Sequence, residues 1–241
     1  MARTKKQPVG QITSGIGQSA LALKTISFVR QQLPTWRDDP DRPDEQSEDK
    51  LNLQLCKFLN SRARTYFPMV RFDREEYQFE SRRIDLAASP VERMIIGVKL
   101  HTIYDPYLVL EGKRLPAPSS DREKEYVTGY EKRTGGIQRF KLRLHGDKHD
   151  IAVMIGYVQV HPFGSWHRKI NGWIAELASG AIADVCIWEE SETLGRLEED
   201  TSMGIASSRS VHSRTGREPN NEIKIHHFWI SMNMRSAAGR S

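Results

Sequence analysis

Residues 151–160 read IAVMIGYVQV, an almost unbroken apolar run. A strand with one wet face alternates apolar and polar residues, whereas a strand covered on both faces reads continuously. The run is also far short of the ~20 residues that a membrane span needs. It therefore predicts a strand deep in a sheet with helices on both sides. Residues 107–115, YLVLEGKRL, begin in the same way and predict a second buried strand.

The chain supplies helices to cover such a sheet. SWHRKINGWIAELASG (165–180) gathers Trp166, Ile170, Trp173, Ile174 and Leu177 on one helical face, with Ser165 as N-cap and Gly180 as stop. Trp166 and Trp173 are expected in the core. SEDKLNLQLCKFLNSRAR (47–64) offers Ser47 as N-cap and two acids in the first turn, where the helix dipole favours them. Leu51, Leu55, Phe58 and Leu59 then form its apolar stripe. DREKEYVTGYEKRTGG (121–136) predicts a polar helix that its two glycines end, with Tyr126 and Tyr130 half-buried one turn apart. Further strands are expected at 77–80, 82–89, 93–103 (broken at Gly97) and 221–231. This order of elements belongs to a mixed α/β domain.

A chain of 241 residues suits one large domain, or one domain with appendages. Residues 1–17 are polar, 18–33 (QSALALKTISFVRQQL) predict a helix, and PTWRDDPDRPDEQ at 34–46 reads as a linker. Residues 1–46 are thus expected to form an N-terminal extension that docks a partner. Residues 47–235 are expected to form the compact domain, with a flexible Ser-rich, charged segment near 189–221. Two cysteines, Cys56 and Cys186, make no C-x-x-C pair and no disulfide framework. No apolar core follows the basic MARTKKQPVG, so no secretory signal is expected, and a cytoplasmic setting is the default. The formal net charge of +5 is compatible with a polyanionic partner.

The second strand ends in Glu111-Gly112-Lys113. Burying either charge alone costs several kcal/mol. Residues two apart on a strand share a face, so Glu111 and Lys113 point the same way. Asp85, in Ile84-Asp85-Leu86, is the other acid set inside a strand-like segment. If the two strands are neighbours, Asp85 and Glu111 converge. Two carboxylates at one point suit a hard cation such as Mg²⁺ or Mn²⁺. A lysine beside them can orient a water or stabilise charge on a phosphate oxygen. Such a group of residues is equipped for metal-assisted phosphodiester hydrolysis.

Asp85 followed by Glu111-x-Lys113 at the end of an apolar strand resembles the D…(D/E)xK signature of the PD-(D/E)xK, or restriction-endonuclease-like, nuclease superfamily. The order of elements over 47–160 is similar to that fold, a mixed central sheet flanked by helices. Ile84 stands where the motif has proline, and the 25 residues between Asp85 and Glu111 leave room for an extra strand at 93–103. GGIQRF (135–140), MIGYV (154–158) and HHFWI (226–230) resemble nuclease subunits of bacterial anti-phage defence systems. The resemblance implies that Asp85, Glu111 and the Gly112 carbonyl hold Mg²⁺ or Mn²⁺, and that Lys113 positions the attacking water. Glu48 is the match for a further glutamate from the first helix, with Asp49 as runner-up, and Asp105 is a substitute for Asp85.

The expected activity is that of a DNA endonuclease serving as a defence effector. The chain carries no helix-turn-helix, zinc-finger or ATPase motif, so specificity or activation is expected from a protein partner. A homo-oligomer is compatible with this. The rival expectations are a non-catalytic nucleic-acid-binding or assembly subunit that keeps the fold, and a phosphohydrolase acting on nucleotides. His145 and His149 have a zinc-like spacing but no matching second pair, and are expected as solvated loop residues. His226 and His227 face opposite sides of a strand, so at most one faces the site. Gln138 and Arg139 read equally as phosphate contacts or as surface loop. Arg62, Arg64, Arg82 and Arg83 are candidates for a basic groove.

Overall fold

The computed structural model describes residues 18–77, 83–97, 99–216 and 222–233. Two N-terminal helices, α1 (Gln18–Arg37) and α2 (Glu48–Tyr66), precede a hairpin of β1 (Val70–Tyr77) and β2 (Arg83–Pro90). A small hairpin, β3 (Met94–Ile96) and β4 (Lys99–His101), leads into β5 (Leu108–Leu115). Two 3₁₀ turns and α3 (Gly136–Lys141) connect β5 to β6 (Ile151–Val158). Helix α4 (Phe163–Ala178) follows, then β7 (Glu198–Asp200), β8 (Ile205–Ser213) and β9 (Glu222–Ser231).

Seven strands form one mixed sheet in the order β1-β2-β5-β6-β9-β8-β7. β5, β6 and β9 run parallel in its middle, and antiparallel strands complete both sides. Of these, β5 and β6 are the strands that read as apolar runs. Burial on both faces is what a parallel core requires. On one face, α1 and α2 pack Leu21, Val29, Leu33, Leu51, Leu55 and Leu59 against Leu110, Val153, Ile155 and Phe228. On the other, α3 and α4 pack Ile137, Phe140, Trp166, Trp173 and Ile174 against Val109, Ala152, Met154 and Trp229. Among the described residues, no helix is long and apolar enough to cross a membrane.

Several expectations need correction. The segment read as an appendage and linker contributes α1 to the core. Helix α1 runs through Pro34 as far as Arg37. The lost hydrogen bond is offset by burial of Trp36, whose ring lies 5.7 Å from that of Tyr157. Residues 1–17 and 217–221 lie outside the described part. Much of the supposed flexible segment enters the sheet as β7 and β8, for β8 pairs with β9 from Ile205↔Ile230 to Ser213↔Glu222. The strand expected at 93–103 turns back on itself at Gly97 (φ 66°), and its hairpin stays outside the main sheet. Helix α4 starts earlier than expected, at Phe163, with Pro162 at its cap position.

The polar helix expected at 121–136 is absent. Tyr130 and Arg133 adopt positive φ (53° and 55°) and break the segment into the turns Ser120–Tyr126 and Tyr130–Lys132. The glycines open α3 instead of closing a helix. A Cβ on Gly135 would collide with the Thr128 backbone, and Gln138 Oε1 accepts the backbone N–H groups of Gly129 and Gly135. Tyr126 is wholly buried rather than half-buried.

Tyr126 belongs to a polar chain inside the α4 side of the sheet. Trp229 Nε1 donates to its hydroxyl at 3.0 Å, and that hydroxyl lies 2.8 Å from His227 Nδ1. Ser210 Oγ sits 2.7 Å from both His227 Nε2 and His212 Nε2. His212 Nδ1 faces Glu192 Oε2 at 3.6 Å. Glu192 is itself paired with the buried ammonium of Lys141. The adjacent histidines thus split as the alternation of a strand requires, and His227 is a core residue.

Candidate active site

The antiparallel ladder between β2 and β5 ends at Leu86↔Leu110. Asp85 and Glu111 are the next residues on each strand, and they sit where the two strands part. Asp85 Oδ2 accepts the Gly112 N–H at 2.9 Å, replacing the ladder bond that the parting leaves unmade. Gly112 itself is pressed against a floor. A Cβ there would collide with the Asn52 side chain, whose Oδ1 accepts the Tyr157 hydroxyl at 2.7 Å. The sequence between Glu111 and Lys113 therefore has room only for glycine.

Glu111 and Lys113 point the same way, as the strand period requires. Lys113 Nζ lies 3.1 Å from Glu111 Oε1 and donates to Glu48 Oε1 at 2.9 Å. Glu48 is the first residue of α2, and its Oε2 accepts the Arg114 N–H at 3.0 Å. The helix thus begins with its acid tied to β5, while Ser47, at the cap position, makes no side-chain cap bond. Asp85, Glu111, Lys113 and Glu48 are brought together. The two substitutes are not. Asp49 pairs with Arg74 at the surface, and Asp105 accepts the hydroxyl and N–H of Thr102 in an exposed turn.

Two further residues complete the site. Arg139 Nη1 donates to Glu111 Oε1 at 2.9 Å, and His145 Nδ1 lies 3.2 Å from Glu111 Oε2. His145 and His149 are both buried, which corrects their reading as solvated loop residues. Phe140 and Leu144 pin this short segment to the sheet, and those apolar anchors were the available signal. Gln138 is spent on the glycine turn and on Asp184. Of the candidate groove arginines, Arg62 lies over the Tyr66 ring and donates to Gln32, and Arg64 is exposed. Arg82 and the side chain of Arg83 lie outside the described part.

The charges do not balance. Three carboxylates face the two cations Lys113 and Arg139. Burial, and then the charge of Glu111, push the Asp85 carboxyl up to about 7. Burial also acts to raise Glu111, but Lys113, His145 and Arg139 outweigh it and hold that carboxyl below the usual range. Burial likewise acts to lower Lys113, yet Glu111, Glu48 and Asp85 keep its ammonium charged well above the ordinary lysine range.

Among the described residues, no three His, Cys, Asp or Glu side chains stand in coordinating geometry around one point. The ammonium of Lys113 bridges Glu48 and Glu111 instead. The donor chemistry nevertheless fits a hard divalent cation. The donors are carboxylate oxygens, and Glu111 Oε2 is buried without a hydrogen bond.

A stability experiment tests this electrostatic picture. A carboxyl raised in the folded state takes up a proton on folding, so its cost grows as pH rises from the unfolded to the folded pKa. Asp85→Asn keeps an acceptor for Gly112 and removes that cost. It is expected to stabilise the chain by on the order of 2–4 kcal/mol near pH 8, and by less than half of that near pH 5. Denaturant unfolding at the two pH values measures this. An equal effect at both, or a loss near pH 8, would contradict the assignment.

No protein-family model, no curated protein and no solved structure matches this chain.

Proposed function

We propose that this protein is a metal-dependent nuclease of the PD-(D/E)xK kind that hydrolyses DNA phosphodiester bonds. The observation that carries the reading is the meeting of Asp85, Glu111, Lys113 and Glu48 where β2 and β5 part. Asp85, Glu111 and the Gly112 carbonyl would hold Mg²⁺ or Mn²⁺, with Glu48 completing the set. A bound cation supplies Lewis acidity that polarises a phosphoryl oxygen and lowers the pKa of a water. Lys113, fully charged, orients that water and stabilises negative charge on the phosphate. Arg139 holds Glu111 in place from the α3 side. The positive net charge supports a polyanionic substrate.

The role as effector of a prokaryotic anti-phage complex, with partner subunits supplying activation, rests on the sequence resemblance alone. A cytoplasmic setting accords with two free, buried cysteines. One observation favours the rival reading of a non-catalytic nucleic-acid-binding subunit. Glu111 is wholly buried, and its oxygens face Lys113, Arg139 and His145.

The purified chain is expected to bind Mn²⁺ in calorimetry, and to nick supercoiled plasmid slowly with Mg²⁺ or Mn²⁺ but not with EDTA. The activity is expected to be weak because the sequence carries no helix-turn-helix or zinc-finger motif to engage DNA, and activation is expected from a partner. Absence of both Mn²⁺ binding and nicking would decide for the rival. Rapid degradation of chromosomal DNA by the chain alone would remove the need for a partner.

A further inference from the structure

A second site lies away from the parting of β2 and β5. A cavity of about 430 Å³ opens between α1 and the β8–β9 part of the sheet. Three arginines from three different elements line it: Arg30 from α1, Arg196 from the loop before β7, and Arg209 from β8. Among the described residues, none of these guanidiniums makes an ion pair or hydrogen bond. Glu198 is the one acid in the lining. Asp200 feels the field of Arg30, but its own hydrogen bonds go to Ser202 and Met203.

The strand register sharpens the point. Arg209 and His226 are direct partners across β8 and β9, so both project from one face of the sheet into the cavity. Two groups of the same charge directly opposite each other destabilise a ladder. Burial, and then Arg209, accordingly push the His226 imidazole down to about 4. The next inward pair, Ser207 and Phe228, together with Ile26 and Leu23 of α1, gives the cavity a hydroxyl and an apolar wall. Unpaired guanidiniums bind oxyanions through two parallel N–H···O bonds. Three of them against Glu198 leave two net positive charges, which match a phosphate monoester at neutral pH. The volume exceeds what a bare phosphate fills, and lies in the range of small organic ligands.

We infer that this cavity binds a small phosphate monoester with an apolar or aromatic body, of the nucleoside monophosphate class. Arg30, Arg196 and Arg209 hold the phosphate, and Leu23, Ile26 and Phe228 face the organic part. The inference does not depend on the nuclease reading.

The test uses the full chain and adenosine monophosphate as probe, with inorganic phosphate and adenosine as controls. Calorimetry is expected to show saturable binding of the monophosphate, and affinity for inorganic phosphate lower by about tenfold or more. Arg209→Gln and Arg196→Gln, both at exposed positions, should each weaken the monophosphate about tenfold. Glu111→Gln should leave it unchanged. Histidine NMR supplies a second readout. A bound anion offsets the field of Arg209, so the His226 pKa should rise by about one unit or more. The inference is overturned by no saturable binding up to about 10 mM, by equal binding of inorganic phosphate, or by unaltered affinity in both arginine variants. Binding of a single-stranded oligonucleotide that Arg209→Gln weakens, without any monophosphate binding, would overturn it in favour of nucleic acid.

Discussion

Glu111→Gln is expected to abolish plasmid nicking and Mn²⁺ binding together, whereas Lys113→Ala is expected to abolish nicking alone. In the proposed site, Glu111 and Asp85 would act as oxygen donors to the cation. Losing either removes several kcal/mol of charge stabilisation, a fall in rate of about 10²-fold or more. Lys113 is no ligand. Its ammonium competes for the oxygens of Glu48 and Glu111, so its removal should keep or strengthen Mn²⁺ affinity while the rate falls by about 10²-fold. Substitutions of the two acids also separate by stability. Asp85→Asn gains. Glu111→Gln loses, because Lys113 and Arg139 then keep only part of their counter-charge. Repulsion among clustered carboxylates alone would have predicted no loss in any of them. The ion pairs to Glu111 reverse that expectation at one residue. Nicking that survives Glu111→Gln would remove the site from this part of the molecule.

Lys141→Met is expected to be strongly destabilising, by ~3–5 kcal/mol near neutral pH. Lys141 is 1% exposed and donates to Glu192, itself 2% exposed. Glu192 Oε1 also accepts the N–H and hydroxyl of Ser213, both at 2.8 Å. Burial acts to raise the Glu192 carboxyl, but His212 and Lys141 outweigh it and hold it at about 2. Removing the ammonium therefore leaves a charge stranded in the interior. The sign of the pH dependence follows. With Lys141 gone, acidification lets Glu192 take a proton, so the deficit should shrink towards about pH 4. Lys141→Met with Glu192→Gln should recover much of the loss. Denaturant unfolding of the single and double variants measures both effects. A double variant no more stable than the single would deny that the stranded charge is the cause. The pair also matters to the site, because Lys141 and Arg139 share the six residues of α3.

The parts of the fold legible in the sequence were those where one physical rule dominated. β5 and β6 declared themselves because burial on both faces leaves a continuous apolar run. Asp85, Glu111 and Lys113 stood out because a charge inside such a run needs a reason. Glu48 was legible as the acid that opens a helix. β8 was not, because IASSRSVHS presents serines and a histidine to a polar interior and shows no alternation of apolar residues. The meeting of Arg139 and His145 with Glu111 was hidden for a different reason. They reach Glu111 from a helix of six residues and the turn after it, too short to carry a period. Trp36 shows tertiary packing overriding local preference, since proline and charge around it argued for a linker.

The buried chain from Trp229 to Glu192 has a direction. An indole N–H can only give a proton and a carboxylate can only take one. With the Tyr126 oxygen already accepting from Trp229, its own proton must go to His227 Nδ1. His227 then carries hydrogen on Nε2, Ser210 passes its hydrogen to His212 Nε2, and His212 is left with hydrogen on Nδ1, aimed at Glu192. Every tautomer is dictated by the two ends, and the arrangement admits no spare proton. A charged imidazole at either histidine would set two donors against each other. Burial pushes both imidazoles below the ordinary histidine value, so acid meets them first in the unfolded chain and draws the equilibrium that way. The strand that looked least like one in the sequence thus closes a proton-counting circuit, and the interior of the domain keeps a single protonation pattern for as long as it stays folded.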